Sequence, residues 1–154
     1  MKKILFVCLG NICRSPMAEG IFQSLINKNK LSSKFYCESA GVLAHHVGEM
    51  ADPRMRAHAI ERGYELVTKS RQFKATTDFE EFDLILTMDD RNYNDIKNYD
   101  SNNIYLNKII KMTSYCKIHD VTEVPDPYYG SADGFDLVID ILEDSCNELL
   151  LKLN

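Results

Sequence analysis

Residues 3–8, Lys-Ile-Leu-Phe-Val-Cys, form a short apolar run that breaks at Gly10-Asn11 and gives way at Ser15-Pro16 to a stretch of helical periodicity. A continuous apolar run of this length, bounded by a turn signal, reads as a buried strand. Buried strands of this kind belong to sheets covered on both faces, which in practice are parallel sheets wrapped by helices. The same theme recurs along the chain. Phe35–Ser39 reads as a second short strand, and Phe82–Met88, with Leu84-Ile85-Leu86 inside it, as another buried one. Residues 108–112 (Lys-Ile-Ile-Lys-Met) read as a fourth strand with Thr113 opening a short helix, or else one helix crosses Ile104–Ile118.

Helical stretches lie between these runs. After Pro16, the residues Met17, Ile21, Phe22, Leu25 and Ile26 share one face at a period of 3.6. Ser15 is placed to cap that helix and Pro16 to occupy its first position. A polar connection covers Asn27–Ser33, and Gly41–Pro53 is a long loop holding His45, His46 and Gly48. A helix is expected from about Asp52 to Arg62, with Met55, Ala59 and Ile60 inward and Gly63 as its stop. Asp89–Tyr99 is expected to be helical, capped by Asp89 or Asp90. Pro125 and Pro127 impose an extended loop. From Asp133 a long helix turns Phe135, Val138, Ile141, Leu142, Cys146, Leu149, Leu150 and Leu153 inward. The alternation implies an α/β fold, a three-layer sandwich with a central four-stranded parallel sheet flanked by helices, formed by residues 1–154 as one domain. Such folds bind ligands at the carboxyl ends of strands. The loop 8–15 and the loop after Met88 would meet there, joined by the loop 124–130 if residues 108–112 are a strand.

Composition narrows the function. With 45% hydrophobic and 27% charged residues the chain suits a globular domain. A net charge of -5 disfavours a nucleic-acid binder, which needs a basic face. No apolar run approaches the roughly 20 residues of a membrane helix. The start MKKILFVCLG mimics a signal peptide, but no small-residue cleavage site follows the break at Gly10-Asn11, so a first core strand is the preferred reading. The odd set Cys8, Cys13, Cys37, Cys116 and Cys146 argues against a disulfide framework and for the reducing cytoplasm. His45, His46, His58 and His119 are scattered, and no Cys/His cluster has metal-ligand spacing; neither metal nor cofactor is expected.

The segment Cys8-Leu9-Gly10-Asn11-Ile12-Cys13-Arg14-Ser15-Pro16 carries the chemistry. A strand–turn–helix loop can turn the N–H groups of residues 9–15 into one hollow that suits a tetrahedral dianion. A thiolate at its base would be stabilised by the same groups, which lowers the expected pKa of Cys8. Arg14 supplies a planar fork for two phosphoryl oxygens. Gly10 allows the tight path, and Ser15 can donate to the sulfur. An isolated Cys ending a strand is ordinarily a packing residue; here the Gly, Arg and Ser-Pro coincide with it. A nucleotide P-loop is excluded, since no GxxxxGK pattern is present. Breaking a phosphate monoester also needs a proton donor, and one carboxylate can serve as acid and then base. Asp126, between Pro125 and Pro127, lies in a stiff loop that can aim it, though a turn-forming Asp would look the same. Tyr128 and Tyr129 could flank an aromatic substrate ring, or pack on the loop and face solvent.

VCLGNICRSPMAE resembles the signature of the low-molecular-weight protein tyrosine phosphatase family. The likeness runs through the chain: SAG at 39–41, HVG at 46–48, DPR at 52–54, Arg71-Gln72, MD at 88–89 with Asn92, and DPYYG at 126–130. The resemblance implies metal-independent hydrolysis of protein phosphotyrosine and aryl phosphates through a phosphocysteine on Cys8. Arg14 would bind the phosphoryl group and Asp126 would act as general acid, then base. It implies that Asn11 holds the loop through Ser39, that Asp89 supports the loop near the cleft, that Cys13 can trap oxidised Cys8 as a disulfide, and that Tyr128 and Tyr129 line the substrate cleft. The partner implied is a tyrosine-phosphorylated protein, such as a tyrosine kinase or its targets, and the enzyme a monomer or weak dimer.

Three departures stand out. Val42 replaces the usual Thr after SAG. His45 takes the place of a bulky aromatic at the cleft wall, which bears on the preferred peptide and keeps phosphoarginine as an alternative substrate. Thr68 stands where the family has a His that joins the Ser39 network, which implies rewiring. The same fold serves thiol-dependent arsenate reductases, but those need a further cysteine pair near 75–95, and this chain has no cysteine between Cys37 and Cys116. A non-catalytic phosphate-binding module is the other rival, opposed by the joint presence of Cys8, Arg14 and Asp126.

Overall fold

A computed structural model describes residues 1–154. In chain order it contains β1 (Lys2–Cys8), α1 (Arg14–Lys28), β2 (Phe35–Gly41), α2 (Pro53–Glu61), α3 (Asp78–Glu81), β3 (Leu84–Thr87), α4 (Asp90–Tyr99), β4 (Ile109–Lys111) and α5 (Ala132–Leu153). Short 3₁₀ turns at Leu106–Lys108 and Met112–Tyr115 flank β4. The strands form one parallel sheet in the order β2-β1-β3-β4. Alternation along β1 divides the interior. Ile4, Phe6 and Cys8 pack with Met17, Ile21 and Phe22 of α1 and with α5. Leu5 and Val7 face the other way, onto Phe73, Phe79, Phe82 and Ile96. Each large side chain so buried contributes about 1.5–3 kcal/mol, so the expected three-layer sandwich follows from β1 having no polar face.

The ambiguous stretch resolves as a strand: Ile109, Ile110 and Lys111 pair with Ile85, Leu86 and Thr87 at the sheet edge. Three local expectations need correction. Ile60 is 64% exposed, because α2 lays only Met55 and Ala59 inward and the next residue lies 100° further round. The strand expected from Phe82 begins at Leu84, since Phe82 ends the short helix α3 that the sequence pattern did not reveal. Ser15 is not a helix cap. The helix begins at Arg14, Cys13 holds the N-cap position without a side-chain bond, and Pro16 is the third helical residue. The Ser15 hydroxyl is engaged elsewhere, as described below.

Far from the strand ends, Asp144 of α5 ties down the segment after the second 3₁₀ turn. Its carboxylate accepts from the backbone N–H groups of Lys117, Ile118 and His119 and from His119 Nδ1, all at 2.9–3.0 Å. Burial alone would raise its pKa; the bonds from Lys117, His119 and Ile118 outweigh that and hold it at about 2, below the ordinary 3.8. A carboxylate depressed in the folded state stabilises above its unfolded pKa and loses that contribution as pH falls toward the folded value. Asp144→Asn should therefore cost about 2 kcal/mol at neutral pH. The gap to wild type should close between about pH 4 and pH 2. Urea unfolding across that range checks it; a pH-independent gap would rule out the charge as the cause.

Candidate active site

Parallel pairing places Cys8 opposite Gly41 at the carboxyl end of β1, with β3 ending on its other side. The loops after β1 and β3 diverge here, the place where open α/β sheets form a crevice. The loop from Cys8 to Arg14 is pinned by its carbonyls. Cys8 O accepts from Val42 N–H at 3.0 Å, Leu9 O from Leu43 N–H at 2.9 Å and Ile12 O from Asp52 N–H at 2.8 Å. Asn11 O accepts from Ser70 Oγ at 2.5 Å. The N–H groups of Leu9 to Cys13, by contrast, donate to no backbone or side-chain acceptor in the protein. Those of Arg14 and Ser15 belong to the first helical turn, which has no intrahelical acceptor for them. With the carbonyls of Cys8, Leu9, Asn11 and Ile12 engaged, the hydrogen-bonding capacity left in the loop is chiefly a row of donors.

Asn11 sets the shape. Its φ of 56° is left-handed, a conformation Asn tolerates better than most residues. Its amide nitrogen donates to Ser15 Oγ at 2.8 Å and to Ser39 Oγ at 2.9 Å, and its amide oxygen accepts from Arg71 N–H at 3.0 Å. Ser15 Oγ lies 3.0 Å from Cys8 Sγ and 3.3 Å from Ala40 O. Having accepted from Asn11, it has one proton to give to either. Ser39 in turn donates to Glu19 at 2.7 Å. Burial raises the Glu19 pKa, while bonds from Ser39 and Thr68 pull it back.

Arg14 is buried, with Nη1 donating to Asp89 Oδ2 at 2.6 Å and to Val124 O at 3.1 Å, while Nη2 lies 3.6 Å from Asp126 Oδ2. Burial works against its charge, and Cys8, Asp89 and Asp126 outweigh that, so its pKa is raised. Asp89 both pairs with Arg14 and caps α4 through Asn92 N–H at 2.8 Å. Asp90, the other candidate cap, bonds Lys111 instead. The Cys13 thiol is pushed far up, first by burial and then by the charges of Asp52 and Cys8, so it is held protonated.

Cys8, Leu9, Gly10, Ile12, Cys13 and Arg14 form the floor of a cleft of about 550 Å³. Leu43, His45, His46, Asp126, Tyr128 and Tyr129 form its walls. His45, Tyr128 and Tyr129 all line this cleft; Tyr129 is 93% exposed, and its ring meets Tyr128 edge-on at 4.9 Å. Sequence reasoning missed His46, Leu43, Ser70 and Glu19 as parts of the site. His46 packs over Gly10, where a Cβ would come within 3.2 Å of its ring, and Nδ1 meets Glu49 at 2.7 Å. Only the HVG and MAE motifs hinted at His46 and Glu19; nothing local marks Leu43 or Ser70. No group of three or more His, Cys, Asp or Glu side chains is arranged to hold a metal ion, and no helix is long and apolar enough to cross a membrane.

A thiol and an arginine on the floor of a cleft, among unpaired N–H donors and facing an exposed carboxyl, define a cysteine-dependent phosphatase. Comparison with known proteins gives the family. Residues 3–154 match the family model for low molecular weight phosphotyrosine protein phosphatase. The low molecular weight phosphotyrosine protein phosphatase of Schizosaccharomyces pombe is 39% identical over 96% of this chain and 94% of its own. A crystal structure of a protein tyrosine phosphatase from Entamoeba histolytica superposes with a TM-score of 0.94 at 46% identity, covering 99% of this chain and 97% of that one. One of a Drosophila arginine phosphatase does so at 0.90 and 31%, covering 99% and 97%. The chain belongs to the low molecular weight phosphotyrosine protein phosphatase family.

Gly41 offers a test of how tightly the loop is held. A Cβ there would sit 3.0 Å from Asn11 N, Gly10 C and Leu9 O, all backbone atoms that can move only by reshaping the loop. Gly41→Ala is expected to lower kcat/KM on the order of 10²-fold through misplacement of reacting groups. Unchanged kinetics would mean that the loop yields without cost.

Proposed function

We propose that this enzyme hydrolyses protein phosphotyrosine through a phosphocysteine on Cys8. The observation that carries the reading is the run of unpaired N–H groups from Leu9 to Cys13 around a thiol, with the carbonyls of Cys8, Leu9, Asn11 and Ile12 each bonded to another segment. The phosphoryl oxygens take those donors and the free edge of Arg14. Cys8 attacks phosphorus as the thiolate while the ester P–O bond breaks, and Asp126 gives its proton to the departing phenol oxygen. Water then attacks the phosphocysteine, Asp126 takes its proton, and the S–P bond breaks. The sulfur leaves as a thiolate that can accept a hydrogen bond from Ser15, 3.0 Å away. Leu43, Tyr128 and the exposed Tyr129 offer apolar walls for an aryl ring. The protein partners are tyrosine-phosphorylated polypeptides, a kinase or its targets being the natural class. Five free thiols, one of them the nucleophile, suit a reducing compartment such as the cytoplasm.

The discriminating assay compares wild type, Cys8→Ser and Asp126→Ala on an aryl phosphate, a phosphotyrosine peptide and a phosphoarginine peptide. Cys8→Ser should be inactive on all three. Asp126→Ala should lose about 10²–10⁴-fold on substrates with poor leaving groups. Turnover by Cys8→Ser equal to wild type would sink the mechanism. A strong preference of wild type for phosphoarginine would sink only the aryl assignment and shift weight to the His45 wall.

A further inference from the structure

The loop carrying Asp126 has few bonds of its own. Pro125 and Pro127 have no N–H to give, Tyr128 N–H returns to Asp126 Oδ1 at 3.1 Å, and Gly130 N–H closes a turn on Pro127 O at 3.0 Å. Its entry is tied to the site: Val124 N–H donates to Met88 O at 2.7 Å, and Val124 O accepts from Arg14. Its exit is tied at one place. Arg54 Nη2 donates to Tyr128 O at 3.0 Å. The guanidinium carbon lies 5.4 Å from the centre of the Tyr128 ring and 4.9 Å from that of Phe135, at the start of α5.

Arg54 is itself fixed to the anion loop. Its Nε and Nη2 bridge both oxygens of the buried Asp52 carboxylate, at 3.1 and 2.9 Å. Asp52 caps α2 through Arg54 N–H at 2.8 Å and gives its own N–H to Ile12 O at 2.8 Å. A continuous line of short contacts therefore runs from Ile12, under the phosphoryl hollow, through Asp52 and Arg54 to the carbonyl two residues beyond Asp126. A planar guanidinium can span a carboxylate and a carbonyl at once; a lysine ammonium has no such fork. The Arg54 side chain is 48% exposed, so its worth as a surface ion pair is small. That makes its geometry more telling than its contribution to stability.

We propose that Arg54 is a positioning residue for the general acid: held by Asp52, it fixes the exit of the 124–130 loop and with it the aim of Asp126 and the Tyr128 wall. This rests on the assignment of Asp126 as the acid. Arg54 touches neither the phosphoryl group nor the leaving oxygen. Its removal should therefore act where proton donation matters and spare substrates whose leaving group departs unaided.

The test is kcat/KM, which reports the steps up to phosphocysteine formation and not its hydrolysis, for a series of aryl phosphates graded from strongly acidic to weakly acidic phenols. It is run on wild type, Arg54→Ala, Arg54→Lys, Asp126→Ala and the Arg54→Ala/Asp126→Ala double variant, with thermal midpoints recorded for each. Arg54→Ala should stay within about threefold of wild type on the most acidic phenol and fall roughly 10- to 10²-fold on the least acidic. Arg54→Lys should recover only a minor part of that loss. On the Asp126→Ala background the Arg54 change should add little, since both act through the same proton. A loss equal across the series, or none, in a folded Arg54 variant overturns the proposal while a steepened Asp126→Ala series leaves the acid in place. If Asp126→Ala itself shows no leaving-group dependence, the acid assignment falls, and the role of Arg54 with it.

Discussion

The side chain of Asn11 is the interaction on which the site depends. Both of its amide protons and its amide oxygen are used, on Ser15, Ser39 and the backbone of Arg71, and its own carbonyl is bound by Ser70. Those partners come from three separate stretches of chain, brought together by the pairing of β1 with β2 and by the return of the segment near residue 70. A single hydrogen bond is worth about 1 kcal/mol net, but stranding a buried partner costs more. A substitution at Asn11 would strand several at once. The left-handed backbone at this residue turns carbonyls out and amides in, so conformation and hydrogen bonding make the same demand. The anion cradle follows from that agreement and needs no dedicated cationic patch, which is how a chain with a net charge of -5 can receive a dianion.

The sheet order makes that cradle useful. Because β1 lies between β2 and β3, the loop after β3 delivers Asp89 against Arg14. A buried ion pair of this kind is a weak source of stability, since desolvation offsets much of the attraction. Its value lies in holding a charge in the right orientation before substrate arrives. The same Asp89 caps α4, so the helix that covers one face of the sheet and the arginine that serves the site share one carboxylate.

How much of this is legible in the sequence depends on how local the determinant is. The apolar run 3–8, the Gly10 turn and the long periodic stretch of α5 declare themselves within a few residues, and with them the three-layer architecture. The strand at Ile109–Lys111 is a weaker signal, because it is only three residues long at a sheet edge and its neighbours form 3₁₀ turns. Ser15 looks like a cap because Ser before Pro usually is one; the competing partners, Cys8 and Asn11, are close in sequence but are brought within reach only by the folded loop. His46 and Ser70 enter the site from loops, and Ser70 reaches Asn11 across 59 positions. No local pattern encodes that distance. Ile60 misleads for a different reason: apolar character does not bring burial on a short helix that turns only Met55 and Ala59 inward.

The hydrogen-bond inventory of Arg14 brings the phosphoryl site and Asp126 to one edge of the guanidinium. A guanidinium has five N–H donors. Asp89 and Val124 O account for the two on Nη1. That leaves Nε–H and the pair on Nη2 along the opposite edge, the flat two-pronged geometry that suits two phosphoryl oxygens. Nη2 is also the nitrogen that faces Asp126, at 3.6 Å. A bound dianion takes this same edge, so the phosphoryl group and the Asp126 carboxyl meet at one nitrogen. This needs no movement of the sheet or of Arg14, because Asp89 and Val124 keep the guanidinium in place throughout. The loop that carries Asp126 has only to stay where Val124 and Tyr128 anchor it.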